Sequence, residues 1–175
     1  MDSKTIYTQA NRLVRRAGTR DARVIAQMLG ITVYRRNDFT TLLGMYMYKW
    51  RHRMIFISDR LEDCLEQMVL AHEIGHDQFH REQAGDDALQ EFSLFRMKNN
   101  RMEYEANIFA AHLLLDSNEV LRYARQGYDV LQTASAMGSD VNLVLIKLQE
   151  MMKLGYDLHI PYEPDSRFFG KIRTD

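Results

Sequence analysis

Residues 68–80 read MVLAHEIGHDQFH, and the rest of the chain is most simply understood as a scaffold for this stretch. The stretch holds one glycine and no proline, a composition that favours a helix. Leu61, Leu65 and Val69 add an apolar stripe at helical spacing, which would turn one face of the helix toward the interior. The sequence therefore predicts a central helix with a buried face.

Residues 72–76 of this helix form an H-E-x-x-H motif. His72 and His76 are four positions apart, so their Cβ atoms lie about 5–6 Å apart on one helix face. Two imidazoles placed in this way can each reach one Zn²⁺ at about 2.0–2.1 Å. Glu73 is then close enough to a water on the ion to serve as a general base. The alternative is a pair of core histidines satisfied by hydrogen bonds.

A catalytic zinc needs a third protein ligand beside these two histidines. His80 continues the spacing of four but lies eight residues after His72, about 12 Å along the helix axis. That distance is too long for both to bind one ion. We therefore expect His80 to support a ligand or to be structural, and the third ligand to be a downstream carboxylate.

The predicted helix over residues 102–115 offers two carboxylates, Glu103 and Glu105, which point to nearly opposite sides. Glu103 shares its side with Ala106, whose small side chain would allow close approach to the motif helix. We therefore favour Glu103 as the third ligand, with Asn107 holding a ligand imidazole in the correct tautomer. In this interpretation Glu105 is a solvated or helix-stabilising carboxylate.

The remaining pattern predicts an α+β fold that is mostly helical, with a small three-stranded antiparallel sheet, a zincin-like motif helix and a C-terminal helix-turn-helix-like subdomain. We divide the chain into a metallopeptidase domain (1–116), a helical subdomain (117–155) and an irregular tail (156–175). The predicted strands are residues 31–36, 43–50 and 53–58. The other predicted helices are residues 5–17, 21–29, 117–126, 129–137 and 140–154, with Asp116 and Glu119 forming a capping box for the first helix of the subdomain.

The second predicted strand could hold a substrate. Extended peptides commonly bind by adding a strand to a sheet edge, so residues 44–48 are a candidate substrate shelf, with Tyr46 and Tyr48 on one face as candidate substrate-binding residues. Met45 and Met47 occupy the other face, as the period of two requires. A purely structural sheet is an equal alternative.

Composition restricts the classes of protein. The 175 residues carry a formal charge of −1, which disfavours direct nucleic-acid binding, and Cys64 is the only cysteine, as expected in a reducing compartment. The first 16 residues lack the continuous apolar core of a signal peptide, and no apolar run approaches the 18 or so residues of a membrane span. We expect a cytoplasmic protein with no membrane association.

Two motifs together resemble a known family. HEIGH, followed by E-x-E-A-N-x-F-A-A-x-L-L at residues 103–114, is similar to the ImmA/IrrE family of zinc metallopeptidases, as are ARVIAQMLGITVY, LLGMYMY and MIFIS upstream. The resemblance covers about residues 5–155. It implies that His72, His76 and Glu103 bind zinc, that Glu73 is the catalytic glutamate, and that Asn107 matches the asparagine after the third ligand. The chain departs from the family pattern at the end of the leucine run 113–115, where many members have Met-Pro and this chain has Leu115-Asp116.

The resemblance also implies a function. Such a protein would be a zinc-dependent metalloendopeptidase that makes a site-specific cut in a helix-turn-helix transcriptional repressor. The cut would derepress genes on a mobile element or prophage, or in a stress regulon. The protein substrate is then the main partner.

Two other classes of protein remain open. Residues 129–154 resemble a helix-turn-helix, which suggests a DNA-binding regulator, although the second helix carries Asp140, Lys147, Glu150 and Lys153 and is nearly neutral where phosphate contacts need cations. The other class is a protein-interaction regulator with a structural metal site, in which Glu73 is incidental.

Overall fold

The computed structural model describes residues 1–84, 89–91 and 101–158. All the predicted helices are present, with ends close to the predicted ones. In chain order the elements are α1 Ser3–Ala17, α2 Ala22–Met28, β1 Thr32–Arg36, β2 Gly44–Lys49, β3 His52–Ser58, α3 Asp63–Phe79, β4 Leu89–Glu91, α4 Arg101–Leu114, α5 Ser117–Arg125, α6 Val130–Ala136 and α7 Val141–Lys153. Most of the predicted irregular tail lies outside the described residues.

Aspartate side chains determine where five of the helices begin. Each carboxylate accepts hydrogen bonds from backbone N–H groups of the first turn, which have no partner within the helix. The capping residues are Asp2, Asp21, Asp116, Asp129 and Asp140. Asp116 starts α5 as predicted, but the Glu119 side chain accepts from Arg122 at 2.9 Å. The reciprocal capping box forms instead between Asp129 and Gln132.

The four strands form one sheet in the order β1-β3-β2-β4. β2 and β3 pair antiparallel as a hairpin, whose two-residue turn places Trp50 and Arg51 at positive φ, 52° and 65°. The prediction of a purely antiparallel sheet is wrong, because β1 pairs parallel with β3. Residues 37–43 reverse the chain after β1, so β1 runs opposite to β2. β3 also runs opposite to β2, so β1 and β3 run in the same direction. β1 lies on the side of β3 away from β2, and the two strands pair parallel.

A fourth strand lies where the sequence analysis found only a polar segment. β4 spans three residues and pairs antiparallel with the first half of β2, from Gly44 opposite Glu91 to Tyr46 opposite Leu89. Because β3 occupies the other side of β2, residues 44–46 of β2 are bonded on both edges. This half of β2 is an interior strand.

One face of the sheet packs on α3, and a buried carboxylate fastens the two together. Asp77, fully buried on α3, accepts from the Arg53 guanidinium of β3 with both carboxylate oxygens, with Arg53 Nε 2.7 Å from Oδ1. The Tyr46 hydroxyl of β2 donates to the same Oδ1 at 2.9 Å. Burial alone would raise the pKa of Asp77, but the hydrogen bonds from Arg53 and Tyr46 lower it, so the carboxylate stays ionised. The motif helix therefore has a fixed position on the sheet.

On its other side α3 packs against α4, and α7 in turn packs along α4. α7 is buried on almost every side, including at Asn142, Lys147 and Glu150. Lys147 Nζ lies 3.1 Å from His112 Nδ1 of α4. Burial lowers the pKa of Lys147 to about 7. No described helix is long and apolar enough to span a membrane.

Candidate metal centre

Three side chains from two helices converge beside the α3–α4 contact. α3 contributes His72 and His76, one turn apart, and α4 contributes Glu103 from its first turn. Their potential ligand atoms all lie within 4.8 Å of one another. The two imidazoles are almost completely buried, whereas the Glu103 side chain is 16% exposed, so the cluster meets solvent beside Glu103.

The spacing of these atoms matches that of a zinc coordination sphere. His72 Nε2 lies 3.0 Å from His76 Nε2 and 3.1 Å from Glu103 Oε2, and His76 Nε2 lies 3.4 Å from Glu103 Oε1. Ligand atoms at the corners of a tetrahedron, each about 2.0–2.1 Å from zinc, are about 3.3 Å apart. Two imidazoles and one carboxylate also form the donor set of catalytic zinc sites that leave one position for water. The residues present therefore fit a zinc ion.

Each histidine is held through the ring nitrogen that faces away from the cluster. His72 Nδ1 lies 2.9 Å from Asn107 Oδ1, and His76 Nδ1 lies 3.0 Å from His80 Nδ1. Burial lowers the pKa of His76 to about 4, against the opposing effect of Glu103. His76 is therefore neutral near pH 7, the form that can coordinate a metal.

Glu105, the alternative third ligand, lies on the far side of the motif histidines. Its Oε2 is 3.1 Å from His80 Nε2, and its Oε1 is 2.8 Å from Arg101 Nε and also pairs with the Met1 amino group. Burial would raise the pKa of Glu105, but these hydrogen bonds lower it to about 2. Glu105 is therefore an ionised, buried carboxylate that contacts a histidine of the motif helix and not the cluster itself. It is not solvated, but its ion pair with Arg101 one turn earlier on α4 agrees with the other expectation, a helix-stabilising carboxylate.

Glu73 is completely buried between α3 and the start of β2. A Cβ built on Gly44 would lie 2.7 Å from Glu73 Oε1 and 2.6 Å from Val69 Cγ1. Any side chain at position 44 would collide with the carboxylate, so only glycine lets β2 pass this close to it. Sequence reasoning missed Gly44, although a glycine that opens a strand is a recognised sign of close backbone approach.

The substrate shelf expected on β2 is wrong for the Tyr46 side chain. Tyr46 is completely buried against α3, with its hydroxyl bound to Asp77. Tyr48 is half-buried, its ring lies 5.7 Å from the Arg81 guanidinium carbon, and its backbone N–H donates to Ala84 O at 3.4 Å. The period of two correctly placed both tyrosines on one face, but that face is turned to the core because α3 covers it.

The chain is similar to a known protein family and to a phage protein. A family model, Peptidase_M78, described as the IrrE N-terminal-like domain, matches residues 26–156. A protein of Bacillus phage phi105, named "Uncharacterized immunity region protein 2", is 29% identical over 142 residues, which cover 81% of this chain and 88% of the phage protein. The matched residues include α3 and α4, the helices that carry His72, His76 and Glu103. The family match confirms the resemblance found in the two motifs.

Proposed function

The chain belongs to the Peptidase_M78 family of IrrE N-terminal-like domains, and from this premise we propose that it is a zinc-dependent metalloendopeptidase that cuts a helix-turn-helix repressor at one site. The observation that carries the proposal is the convergence of His72, His76 and Glu103 at the spacing of zinc ligands. A glutamate directly follows the first of these histidines, the position of the general base in H-E-x-x-H metalloproteases.

The chemistry divides between the ion and the side chains. Zinc, when bound, lowers the pKa of a coordinated water to about 7 and polarises a carbonyl oxygen. His72, His76 and Glu103 would hold the ion, and the 16% exposure of Glu103 would let a water reach it. The Glu73 carboxylate accepts a proton from the attacking water and later donates it to the amine that leaves when the peptide bond breaks. The carboxylate is neutral only between these two transfers, so Glu73 ends the cycle ionised.

The shape of the site supports an unfolded segment as substrate. Glu73, His72 and His76 are all buried, and among the three members of the cluster Glu103 is the most exposed, at 16%. A folded domain cannot present a backbone carbonyl to such a recessed site, whereas a linker or loop in an extended conformation can. A repressor as substrate is supported by the relative from a phage immunity region, the kind of region in which repressors act.

The test is co-expression with the repressor encoded by the neighbouring gene. We expect one discrete cut by the wild-type protein and none by Glu73→Gln, although Glu73→Gln should retain its zinc because Glu73 is not a ligand. Glu62→Gln is a matched control, since Glu62 is an exposed glutamate at the start of the same helix and its side chain does not cap it.

Two outcomes would decide against the proposal. Unchanged cleavage by Glu73→Gln would remove Glu73 as the general base. A repressor left intact by a wild-type protein that contains zinc, together with normal gene regulation by Glu73→Gln, would favour the interaction module with a structural metal. The DNA-binding alternative is weaker, because Asn142, Lys147 and Glu150 of its recognition helix are buried in the core.

A further inference from the structure

We propose that His80 and Glu105 are positioning residues that determine which nitrogen of His76 faces the metal. This inference rests on the proposed metal site but concerns two residues outside it. His80 ends α3, one turn beyond His76, and Glu105 lies on α4, two positions after Glu103.

The contacts form a continuous chain from a carboxylate to the metal cluster. Glu105 Oε2 lies 3.1 Å from His80 Nε2, and His80 Nδ1 lies 3.0 Å from His76 Nδ1. The other nitrogen of His76, Nε2, faces His72 and Glu103 at 3.0 and 3.4 Å. The side chains of Glu105, His80 and His76 are at least nine-tenths buried, so water does not compete for these contacts.

When each imidazole carries one proton, hydrogen-bond chemistry allows one arrangement of protons along this chain. An ionised carboxylate can only accept, so the proton of neutral His80 must lie on Nε2. His80 Nδ1 then carries a lone pair and can accept a hydrogen bond from His76. The proton of His76 must therefore lie on Nδ1, which leaves the Nε2 lone pair directed at the cluster. A neutral imidazole coordinates a metal only through its unprotonated nitrogen.

The two oxygens of Glu105 have different partners, so Oε2 is available to accept from His80. Arg101 Nε donates to Glu105 Oε1 at 2.8 Å, which leaves Oε2 for His80. Glu103 and Glu105 point to different sides of α4, and this explains why one carboxylate reaches the cluster directly and the other reaches it through two histidines. His72 is held differently, by the single amide oxygen of Asn107.

The first experiment reads the tautomers in the metal-free protein. Nitrogen-15 chemical shifts of the imidazoles should show the His76 proton on Nδ1 and the His80 proton on Nε2 in the wild type. In Glu105→Gln the amide can donate to His80 instead of accepting, so His76 should become a mixture of both tautomers. A wild-type His76 protonated mainly on Nε2 would overturn the proposal without reference to any variant.

The second experiment measures zinc affinity by competition with a chelator. His80→Leu removes the acceptor at nearly constant volume and should weaken zinc binding about 10- to 100-fold, the usual effect of losing a partner of a ligand histidine. His80→Gln, whose amide oxygen can accept from His76, should recover most of the affinity. The visible spectrum of the Co²⁺-substituted protein should change in His80→Leu and return toward wild type in His80→Gln.

The outcomes separate this inference from the proposed function. A wild-type protein that binds no zinc would defeat both. If the wild type binds zinc, and His80→Leu binds it equally well with an unchanged Co²⁺ spectrum, the relay is wrong and the metal site stands. A loss of thermal stability that is equal in His80→Leu and His80→Gln, without a difference in zinc affinity, would show that His80 is structural only.

Discussion

Gly75 on α3 and Ala106 on α4 meet backbone to backbone: a Cβ built on Gly75 would lie 3.0 Å from the Cα of Ala106. The two helices carry all three members of the metal cluster, so the absence of a side chain at position 75 sets the distance between the histidines and Glu103. We expect zinc affinity to depend on this contact as strongly as on a ligand.

Gly75→Ala should push the helices apart and weaken zinc binding at least tenfold. Overpacking costs about 1–3 kcal/mol, and alanine recovers up to about 1 kcal/mol of helix propensity, so the net loss of folding free energy should be about 1–2 kcal/mol. Zinc competition and urea unfolding measure the two effects. Gly127→Ala is the control, because it strains a backbone at φ 81° with no atom within 4 Å. Zinc affinity that falls equally in both variants would contradict this account.

Gly44→Ala should affect catalysis and not metal binding. The new Cβ would collide with Val69 and with the Glu73 carboxylate, which is the proposed general base. We expect repressor cleavage to fall at least tenfold, about 1.4 kcal/mol of transition-state stabilisation, while zinc affinity stays near the wild-type value. A variant that loses zinc and activity in parallel would show that the strand supports the ligands instead.

Removing one partner of the buried Asp77–Arg53 ion pair should destabilise the protein much more than replacing both partners with apolar residues. Asp77→Leu leaves the Arg53 guanidinium without its carboxylate, and we expect it to destabilise the protein by about 3–5 kcal/mol. Arg53→Met leaves the buried Asp77 with Arg81 at 3.3 Å and the Tyr46 hydroxyl, so its cost should lie at the lower end of this range. The double variant should lose clearly less than the sum of the two. Urea unfolding of the four proteins gives the coupling energy, and simple additivity would show that the pair does not fasten the sheet to α3.

Lys147→Met should stabilise the protein, and more so at neutral pH than at alkaline pH. The pKa of Lys147 is about 7 when folded and 10.5 in its ordinary state. Between these values only the unfolded chain binds the extra proton, so the wild type loses stability as the pH falls from about 10.5 to about 7. Arg20 adds to the cost of the charge, and Asp116 partly offsets it.

Lys147→Met removes this pH dependence of the folding stability, because methionine carries no titratable group. We expect a gain on the order of 1–3 kcal/mol at pH 7, the usual cost of burying a polar group without full compensation. The gain should shrink toward pH 10. Thermal melts of both proteins from pH 6.5 to 10 test this, and a difference between them that is constant with pH would refute it.

Much of the helical framework was predictable because its signals are local. Each signal can be read from a few neighbouring residues. These signals are the aspartate caps, the glycines after helix ends and the apolar residues at helical spacing. The same locality explains why spacing alone could select His72 and His76, and why the opposed directions of Glu103 and Glu105 on one helix could be foreseen. The structure does bring His72, His76 and Glu103 together.

The features that were missed depend on contacts distant in sequence. Alternating residues in β1 indicate a strand but not the direction in which it pairs. That direction follows from the chain reversal at residues 37–43 and from the position of β3 between β1 and β2. β4 is too short, at three residues, to produce a periodic signal. From the sequence, Lys147 was placed on a candidate DNA-recognition helix, and only the packing of that helix on α4, next to His112, shows that the lysine is fully buried.

The burial of α7 has a consequence for anyone who wishes to shorten this chain. Leu143, Val144, Ile146 and Met151 fill the core beside α4, so a fragment ending near residue 116 would expose the back of the helix that supplies Glu103. Such a fragment should be insoluble and should lose the arrangement of His72, His76 and Glu103 even though it contains all three. The shortest fragment that keeps this arrangement therefore extends through the last turn of α7, and reporter fusions belong after that point.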